Sequence, residues 1–581
     1  MCTLVVYIFL MEARFLLFAF MIFFSSLKAQ NEFITVWKPA NPTMGSLNTT
    51  STQIKFSGKG TDYNIYWEEV GYPGHSGNLY HITSTIGNPV LIDFGTPNNP
   101  VPADATYIVK ISNGNGSFSQ IKFFDNGYVG DVKKIIQVSQ WGNIVWTSMA
   151  SGFFYCSELD VTATDIPNLT NVSDCSQMFR DCSSLVGNPS FNAWDTNSIT
   201  NMNHMFCFDP VFNQPVGNWD TSNVTTMNSM FTGAAAFNQP IGNWDTSNVT
   251  NMTGMFYNAT SFNQPIGNWN VGNVLYMNGL FLNAVSFNQP LENWDLANVY
   301  LLNDMFSNAV SFNQSIGNWN TSHVTIMNHM FANATSFNQP IGNWNTVNVT
   351  VMSSMFNNAT SFNQPIGNWN TANVSNMNSM FNNATSFNQF IGNWNTANVL
   401  NMGYMFSNAT AFNQSLENWN LSKLNAFNSA NDMFSLSGLS CVNYDNTLIG
   451  WANNSNTANN INLGNAAPLK YSSNSIAARN ILLGKGWIIT GDVYEPTCNS
   501  LATFEPTAKE NLILYPNPVR NTLYLKTKKE IYNIKIYTID GRMVKDSKDV
   551  DTSINVSDLP KGNYIIKISG KEIKTEMFIK E

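Results

Sequence analysis

Ten tryptophans stand 25 residues apart, at Trp194, Trp219, Trp244, Trp269, Trp294, Trp319, Trp344, Trp369, Trp394 and Trp419. A fixed period of this length restricts the chain to an architecture that stacks one small unit on the next. The unit reads F-N-Q-P-I-G-N-W-N-T-x-N-V-x-x-M-x-x-M-F-x-N-A-x-S, with Phe212 to Ala236 one copy and Phe362 to Ser386 another. Its apolar positions in the first of these are Phe212, Val216, Trp219, Val224, Met227, Met230, Phe231 and Ala234. One copy holds too few of them to offset the conformational entropy of its own ordering, so the unit is stable only when neighbours cover both flanks.

Val224, Met227, Met230, Phe231 and Ala234 form a one-sided apolar stripe, which predicts a short helix from Val224 to about Gly233. Ser222 and Asn223 are candidate caps at its start, and Gly233, or Asn333 and Asn383 in later copies, at its end. Pro215 excludes a helix interior between Phe212 and Trp219, where a short strand near Gln214–Gly217 is expected. At the usual strand separation, ten coils rise about 4.8 Å each and span roughly 50 Å. Asn213, Asn218 and Asn223 recur in most later copies. They fit a polar binding surface, or a ladder in which identical amides bond along the stack and satisfy turn backbone.

The F-N-Q-x-I-x-N-W-x-T-S-N-V-x-x-M-x-x-M-F unit resembles the bacterial surface protein repeat of BspA-like leucine-rich repeat proteins, over Cys156 to Phe434. The resemblance implies a mixed α/β solenoid, leucine-rich-repeat-like, with one short strand and one short helix per coil, displayed outside the cell. Trp and Met stand here where leucines are common in that family.

Charge narrows the partners. No Lys or Arg occurs between Arg180 and Lys423, so the repeats have nothing to neutralise phosphates and nucleic acid is a poor partner. Carboxylates are sparse there too, with Asp220, Asp245, Glu292, Asp295 and Asp304 among the few. A surface of amides and hydroxyls suits sugars or protein backbone, and a plain spacer has the same composition.

The flanks differ from the repeats. Phe15 to Phe24 is an apolar run after Arg14, with Ala29 as a small residue for cleavage, so residues 1–29 read as a signal peptide starting at Met1 or Met11. The run is too short for a stable transmembrane segment. Residues 30–152 hold β-rich runs such as Thr52–Phe56, Tyr63–Trp67 and Ala105–Ile111, which predict a β-sandwich. This region resembles a PKD-type sandwich, with Trp67-Glu68-Glu69-Val70 in place of that family's W-G-D-G turn. The solenoid is expected over 153–438, followed by a cap over 439–498 that covers the last coil, and a linker over 499–508.

Residues 509–581 carry 14 of the chain's 28 Lys and Arg and show strands at Thr522–Thr527, Ile534–Thr538, Asn563–Ser569 and Thr575–Lys580, an all-β domain. The motif Leu514-Tyr515-Pro516-Asn517-Pro518, then Ile536-Tyr537 with Asp540-Gly541-Arg542, then Leu559-Pro560-Lys561-Gly562-Asn563-Tyr564 and the closing Lys580, resembles the type A C-terminal sorting domain of the type IX secretion system. That resemblance implies the secretion machinery as a partner, and a final location on the outer surface or outside the cell.

Six cysteines remain beside Cys2. Export permits disulfides. Cys441 and Cys498 bracket the cap and are placed to clip it shut, whereas Cys175 and Cys182 either pair or pack as small core residues. No C-x-x-C pair points to zinc. His204 and His329 share one repeat position and read as surface variants, and no G-x-S-x-G or H-E-x-x-H motif occurs. No catalytic site, metal or cofactor is therefore expected. The leading expectation is a non-catalytic exported protein whose repeats bind extracellular protein or glycan. A surface spacer and an enzyme in the N-terminal domain are the rivals.

Overall fold

The structure is a computed structural model that describes residues 31–44, 47–424, 427–498, 513–515, 519–526, 531–538, 542–548, 553–570 and 573–580. The signal segment and the 499–508 linker lie outside the described residues. The chain divides into two compact units, one ending at Cys498 and one starting at Asn499.

The first unit opens with a seven-stranded sheet. Its strands are β1 (Phe33–Trp37), β3 (Gly58–Glu69), β4 (Tyr72–Ser84), β6 (Tyr107–Ser112), β7 (Ser117–Ile121), β8 (Ile135–Gln140) and β9 (Asp160–Val161). Their order is β4-β3-β6-β1-β8-β9, with β7 also on β3. Alternation sets the faces: β1 buries Phe33, Thr35 and Trp37, and β6 buries Tyr107, Val109 and Ile111. A separate antiparallel pair, β2 (Gln53–Phe56) with β5 (Val90–Asp93), lays Phe56 against Trp37 and Phe118. β9 joins β8 in parallel, and Val145 bridges Asn168 in parallel, so the repeats grow directly from the sheet edge. One buried apolar cluster runs from Phe33 to Ile489 without interruption.

The repeats correct the expected fold class. No helix spans Val224 to Gly233, and no strand forms at Gln214–Gly217. Each coil is a series of turns, with a parallel bridge to the next, as in Thr226 to Asn251 and Asn251 to Tyr276. The two α-helices among the described residues both lie in the cap, and the coils form no continuous sheet. The mixed α/β, leucine-rich-repeat-like solenoid is therefore not what the sequence builds.

The reason lies in the backbone of the Met-x-x-Met-Phe segment. Ser229 and Gly233 sit at φ of 54° and 73°, and Asn258, Asn283, Asn308, Asn333, Asn358 and Asn383 hold the same left-handed position as Gly233. These residues turn alternate N–H groups out of the coil. Met227, Ser229, Phe231 and Gly233 donate to the carbonyls of Asn251, Thr253, Met255 and Tyr257 in the next coil. Met230, Thr232 and Ala234 instead donate three residues back, to Met227, Ser229 and Phe231. A turn every three residues puts the same apolar positions inward as a helix would. The stripe alone did not distinguish the two.

The cap adds two short parallel pairs to its helices. β10 (Asn462–Asn465) pairs with β12 (Ile488–Thr490), and β11 (Lys470–Tyr471) with β13 (Val493–Tyr494).

The second unit holds two sheets. One pairs β14 (Ile513–Tyr515), β15 (Thr522–Lys526) and β18 (Ser553–Asn555) in that order. The other runs β17 (Met543–Lys548), β16 (Ile531–Thr538), β19 (Gly562–Gly570), β20 (Ile573–Lys580), with every neighbour antiparallel. Val519, Leu523, Ile534, Ile536, Ile566 and Phe578 are among the residues of its own core.

Candidate contact surface and sorting signal

The tryptophans are core residues. Each of the ten is at most 3% exposed, too little to serve as a ligand platform. Trp219 stacks on Trp244 at 6.2 Å and Trp344 on Trp369 at 6.2 Å, with rings within 3° of parallel. Each indole from Trp219 to Trp419 also donates to a carbonyl one coil back, as Trp244 Nε1 does to Val216 at 3.0 Å. The buried Thr221, Thr246, Thr321, Thr346, Thr371 and Thr396 hydroxyls donate one coil forward.

Two of the three asparagine rows are ladders. The Asn213 Oδ1 accepts from the Asn238 N–H at 2.9 Å and from the Gln239 amide at 3.0 Å, and the same pair of bonds repeats up the stack at Asn238, Asn288 and Asn338. Asn248 Nδ2 donates to the Ser222 carbonyl at 2.7 Å, and His323 fills this position with a ring nitrogen on the Ala297 carbonyl. The Asn218 row differs: Asn218, Asn243 and Asn343 are exposed, and among the described residues their side chains form no such ladder.

Eight of the nine consecutive tryptophan pairs have rings 6.1–6.5 Å apart. Along the bridges, backbone bonds between coils fit the usual strand separation of about 4.8 Å. The face that carries the bridges also carries the backbone bonds from coil to coil.

The cap imitates a coil with unrelated sequence. The Ser440 N–H and the Asn443 amide donate to Asn413 Oδ1 at 2.8 Å each, and Trp451 Nε1 donates to the Leu416 carbonyl at 3.0 Å, as a coil's Asn, Gln and Trp do. These residues sit at the start of and within α1 (Cys441–Asn453), whose N-terminus is capped by the Ser440 hydroxyl. Cys441 and Cys498 are joined by a disulfide with Cα atoms 5.3 Å apart. Asp445, 2% exposed, stands within 4.8 Å of both sulfurs and accepts from the Ser472 N–H and from the hydroxyls of Ser472 and Ser475. Its oxygens hold the loop before α2 (Ile476–Gly484), and the two sulfurs are bonded to each other. Arg479 forks onto Asp492 at 2.7 and 2.8 Å, and Tyr444 donates to the same carboxylate at 3.2 Å.

Cys156, Cys175, Cys182 and Cys207 are free and buried, so the Cys175–Cys182 pair left open by the sequence does not form. Burial holds all four thiols above their ordinary pKa, and they are unreactive at neutral pH. Asp209 takes the coil position of Ala234 and Ala259; burial pushes its carboxyl well up, and its Oδ2 has no hydrogen-bond partner.

In the N-terminal sheet, Glu68 and Glu69 face different partners, as adjacent strand residues must. Glu68 meets Tyr66 and Lys110. Glu69 is 1% exposed and accepts from the N–H groups of Asn98 and Asn99 at 2.8 Å, with His75 Nδ1 at 2.5 Å. Although burial opposes the charge, these bonds hold its carboxyl below the usual range. Burial and the Glu69 charge push the neighbouring Tyr107 up to about 12. This cluster fastens the 94–106 loop, and sequence reading missed it because its members are 6 and about 30 residues apart.

Of the sorting-motif residues, Tyr515 ends β14 opposite Tyr524. Pro516, Asn517, Pro518, Asp540 and Gly541 lie outside the described residues. Gly562 opens β19 at φ 155°, in the region that favours glycine, and Tyr564 is buried with its hydroxyl on the Pro560 carbonyl at 2.8 Å and its ring stacked on Phe578. Glycine and tyrosine thus set the Pro560–Tyr564 turn, and the motif residues here are structural in their immediate geometry.

A family model described as "Mycoplasma protein of unknown function, DUF285" matches residues 147–264, 173–292, 264–349 and 337–447, which together span just over half of the chain. A model described as "Secretion system C-terminal sorting domain" matches residues 513–581. No curated protein and no solved structure is significantly similar to the chain. The sorting domain marks the protein for export by the type IX secretion system, to the cell surface or the extracellular space. Among the described residues, no helix is long and apolar enough to cross a membrane.

Proposed function

The chain belongs to the family described as "Mycoplasma protein of unknown function, DUF285", and from that premise we propose that it is a non-catalytic surface protein whose stack contacts an extracellular protein or glycan. The observation that carries this reading is the bridged face of the stack. It is a continuous surface without Lys or Arg between Arg180 and Lys423, and its outward positions vary from coil to coil while its core does not. The repeat motif supports kinship with BspA-like surface proteins at the level of the sequence unit. The absence of catalytic motifs supports a non-catalytic role, and the Glu69–His75 pair is occupied in fastening a loop.

The test is binding of the full exported chain to a panel of glycans and extracellular matrix proteins. Saturable binding to one class is expected, and none to any of them contradicts the proposal. A second reading, a spacer without specific ligand, draws on the asparagine ladders, which are bonded along the stack. Removal of residues 509–581 separates export from binding: the truncated chain is expected to remain inside the cell envelope.

A further inference from the structure

The row of bridge positions carries one sustained break in its polar pattern. At the bridge position and the residue before it, the early coils have Thr200-Asn201, Thr225-Thr226 and Thr250-Asn251, and later coils have Ser375-Asn376 and Leu400-Asn401. Between them stand Leu275-Tyr276, Tyr300-Leu301, Thr325-Ile326 and Thr350-Val351. Parallel bridges join Tyr276 to Leu301, Leu301 to Ile326 and Ile326 to Val351. Residues paired by such bridges project to one side of the ladder, about 4.8 Å apart, so the four make an apolar strip about 15 Å long. Tyr300 N–H donates to the Leu275 carbonyl at 3.0 Å, which sets these two beside the strip. Tyr276 and Tyr300 are 41% and 44% exposed, and Leu275, Leu301, Ile326 and Val351 are half-buried.

Nothing in the fold requires these residues, because polar ones occupy the same positions in coils with the same backbone bonds. A cluster of aromatic and aliphatic side chains ringed by polar ones has the composition of a binding hot spot. The neighbouring polar groups are already engaged. Asn278 accepts from the Thr253 hydroxyl at 2.9 Å, Asn303 donates to Asp304 at 3.0 Å, and Asn328 bonds His329 at 3.0 Å. The aliphatic strip itself offers sugar hydroxyls no partner and suits apolar side chains. Charge adds a second restriction. Asp304, three residues past Leu301, has a partly exposed carboxylate, and no Lys or Arg stands anywhere between Arg180 and Lys423. The complementary partner is cationic.

We infer that the strip from Tyr276 to Val351 is the docking site for a protein segment that presents apolar side chains beside Lys or Arg. This rests on the reading of the stack as a contact surface. The test uses the full exported chain against a phage-displayed library of random dodecapeptides and, in parallel, a panel of neutral and acidic glycans. The comparison protein carries Tyr276→Asn, Leu301→Asn, Ile326→Thr and Val351→Thr, all residue types found at this position in other coils, and its folding is checked by its melting temperature. Tyr276→Asn alone is the second variant, should the combined one fold poorly. Enriched peptides combining apolar residues with Lys or Arg are expected. Their affinity should fall at least tenfold in the quadruple variant and about two- to threefold in Asp304→Asn. Peptides that bind both proteins alike overturn this site while leaving the stack a contact surface. A glycan whose binding the quadruple variant abolishes overturns the class of partner. No binding of either kind overturns both readings.

Discussion

The coils of the stack and the cap that ends it bury similar side chains but are held by different means. In the stack, backbone groups bond to the next coil, and the same few side chains repeat the same bonds: Asn213 with Asn238, Trp244 with Val216, Thr221 with Asp245. In the cap, single residues without counterparts do this work: Asp445 with two serines, Arg479 with Asp492 and Tyr444, and one disulfide. The coils should therefore be interchangeable, and the cap should not tolerate loss of any one of these groups.

The largest effect expected from this contrast is a matter of register. Deleting Phe337–Ser361, one whole coil, joins equivalent positions and should leave a folded stack with nearly the same urea midpoint. Deleting Phe337–Thr360, one residue fewer, shifts every later side chain relative to its neighbours and should abolish the cooperative transition. Equal behaviour of the two deletions breaks the account of the stack.

In the cap, Asp445→Ala strands the Ser472 N–H and the hydroxyls of Ser472 and Ser475 in a buried site. A loss of about 3 kcal/mol is expected in urea unfolding. A loss under about 1 kcal/mol would put the cap on the same footing as one rung of a coil ladder.

Asp209 is a coil residue that fits its site poorly. Its folded pKa is raised, so the folded chain holds this proton more tightly than the unfolded chain, and stability is lost as pH rises through the carboxyl range toward the folded value. Asp209→Ala, the residue of other coils, should stabilise the protein by about 1–2 kcal/mol at neutral pH, with the gain shrinking near pH 4. The Cys182 N–H keeps its bond to the Phe179 carbonyl at 3.0 Å, so the change leaves no new orphan there. A destabilised variant at pH 7 contradicts the assignment.

The smallest effect belongs to one rung of a ladder. Asn338→Ala removes the acceptor of the Asn363 N–H and of the Gln364 amide, both partly accessible to water. About 1 kcal/mol is expected from the shift in urea midpoint.

The period, the stacking and the second unit's strands were legible because each rests on a repeated or adjacent pattern. Trp219 and Trp244 announce their spacing, and Ile534–Thr538 alternates plainly. The coil backbone was not legible. Val224, Met227, Met230 and Ala234 satisfy a helix and a chain of three-residue turns equally. The deciding information is the left-handed φ at Ser229 and Gly233, and Ser gives no such sign in sequence. Within the cap, Trp451 replaces a coil tryptophan at a separation of 32 residues from Trp419, which no search at the 25-residue period finds. The apolar strip was visible only as variation at one repeat position. Its continuity depends on the bridges that place Tyr276, Leu301, Ile326 and Val351 side by side.

The central claim is that the stack is a contact surface whose specificity sits in particular coils. Two deletions of fifty residues test it, both preserving register. Removing Met277 through Ile326 takes out Tyr300, Leu301 and Ile326; removing Met352 through Asn401 leaves the strip whole. Both shortened chains should be exported and folded. Titration with the peptides selected on the intact protein should show binding lost in the first and kept in the second. Equal affinity in the two would contradict the claim that specificity sits in particular coils.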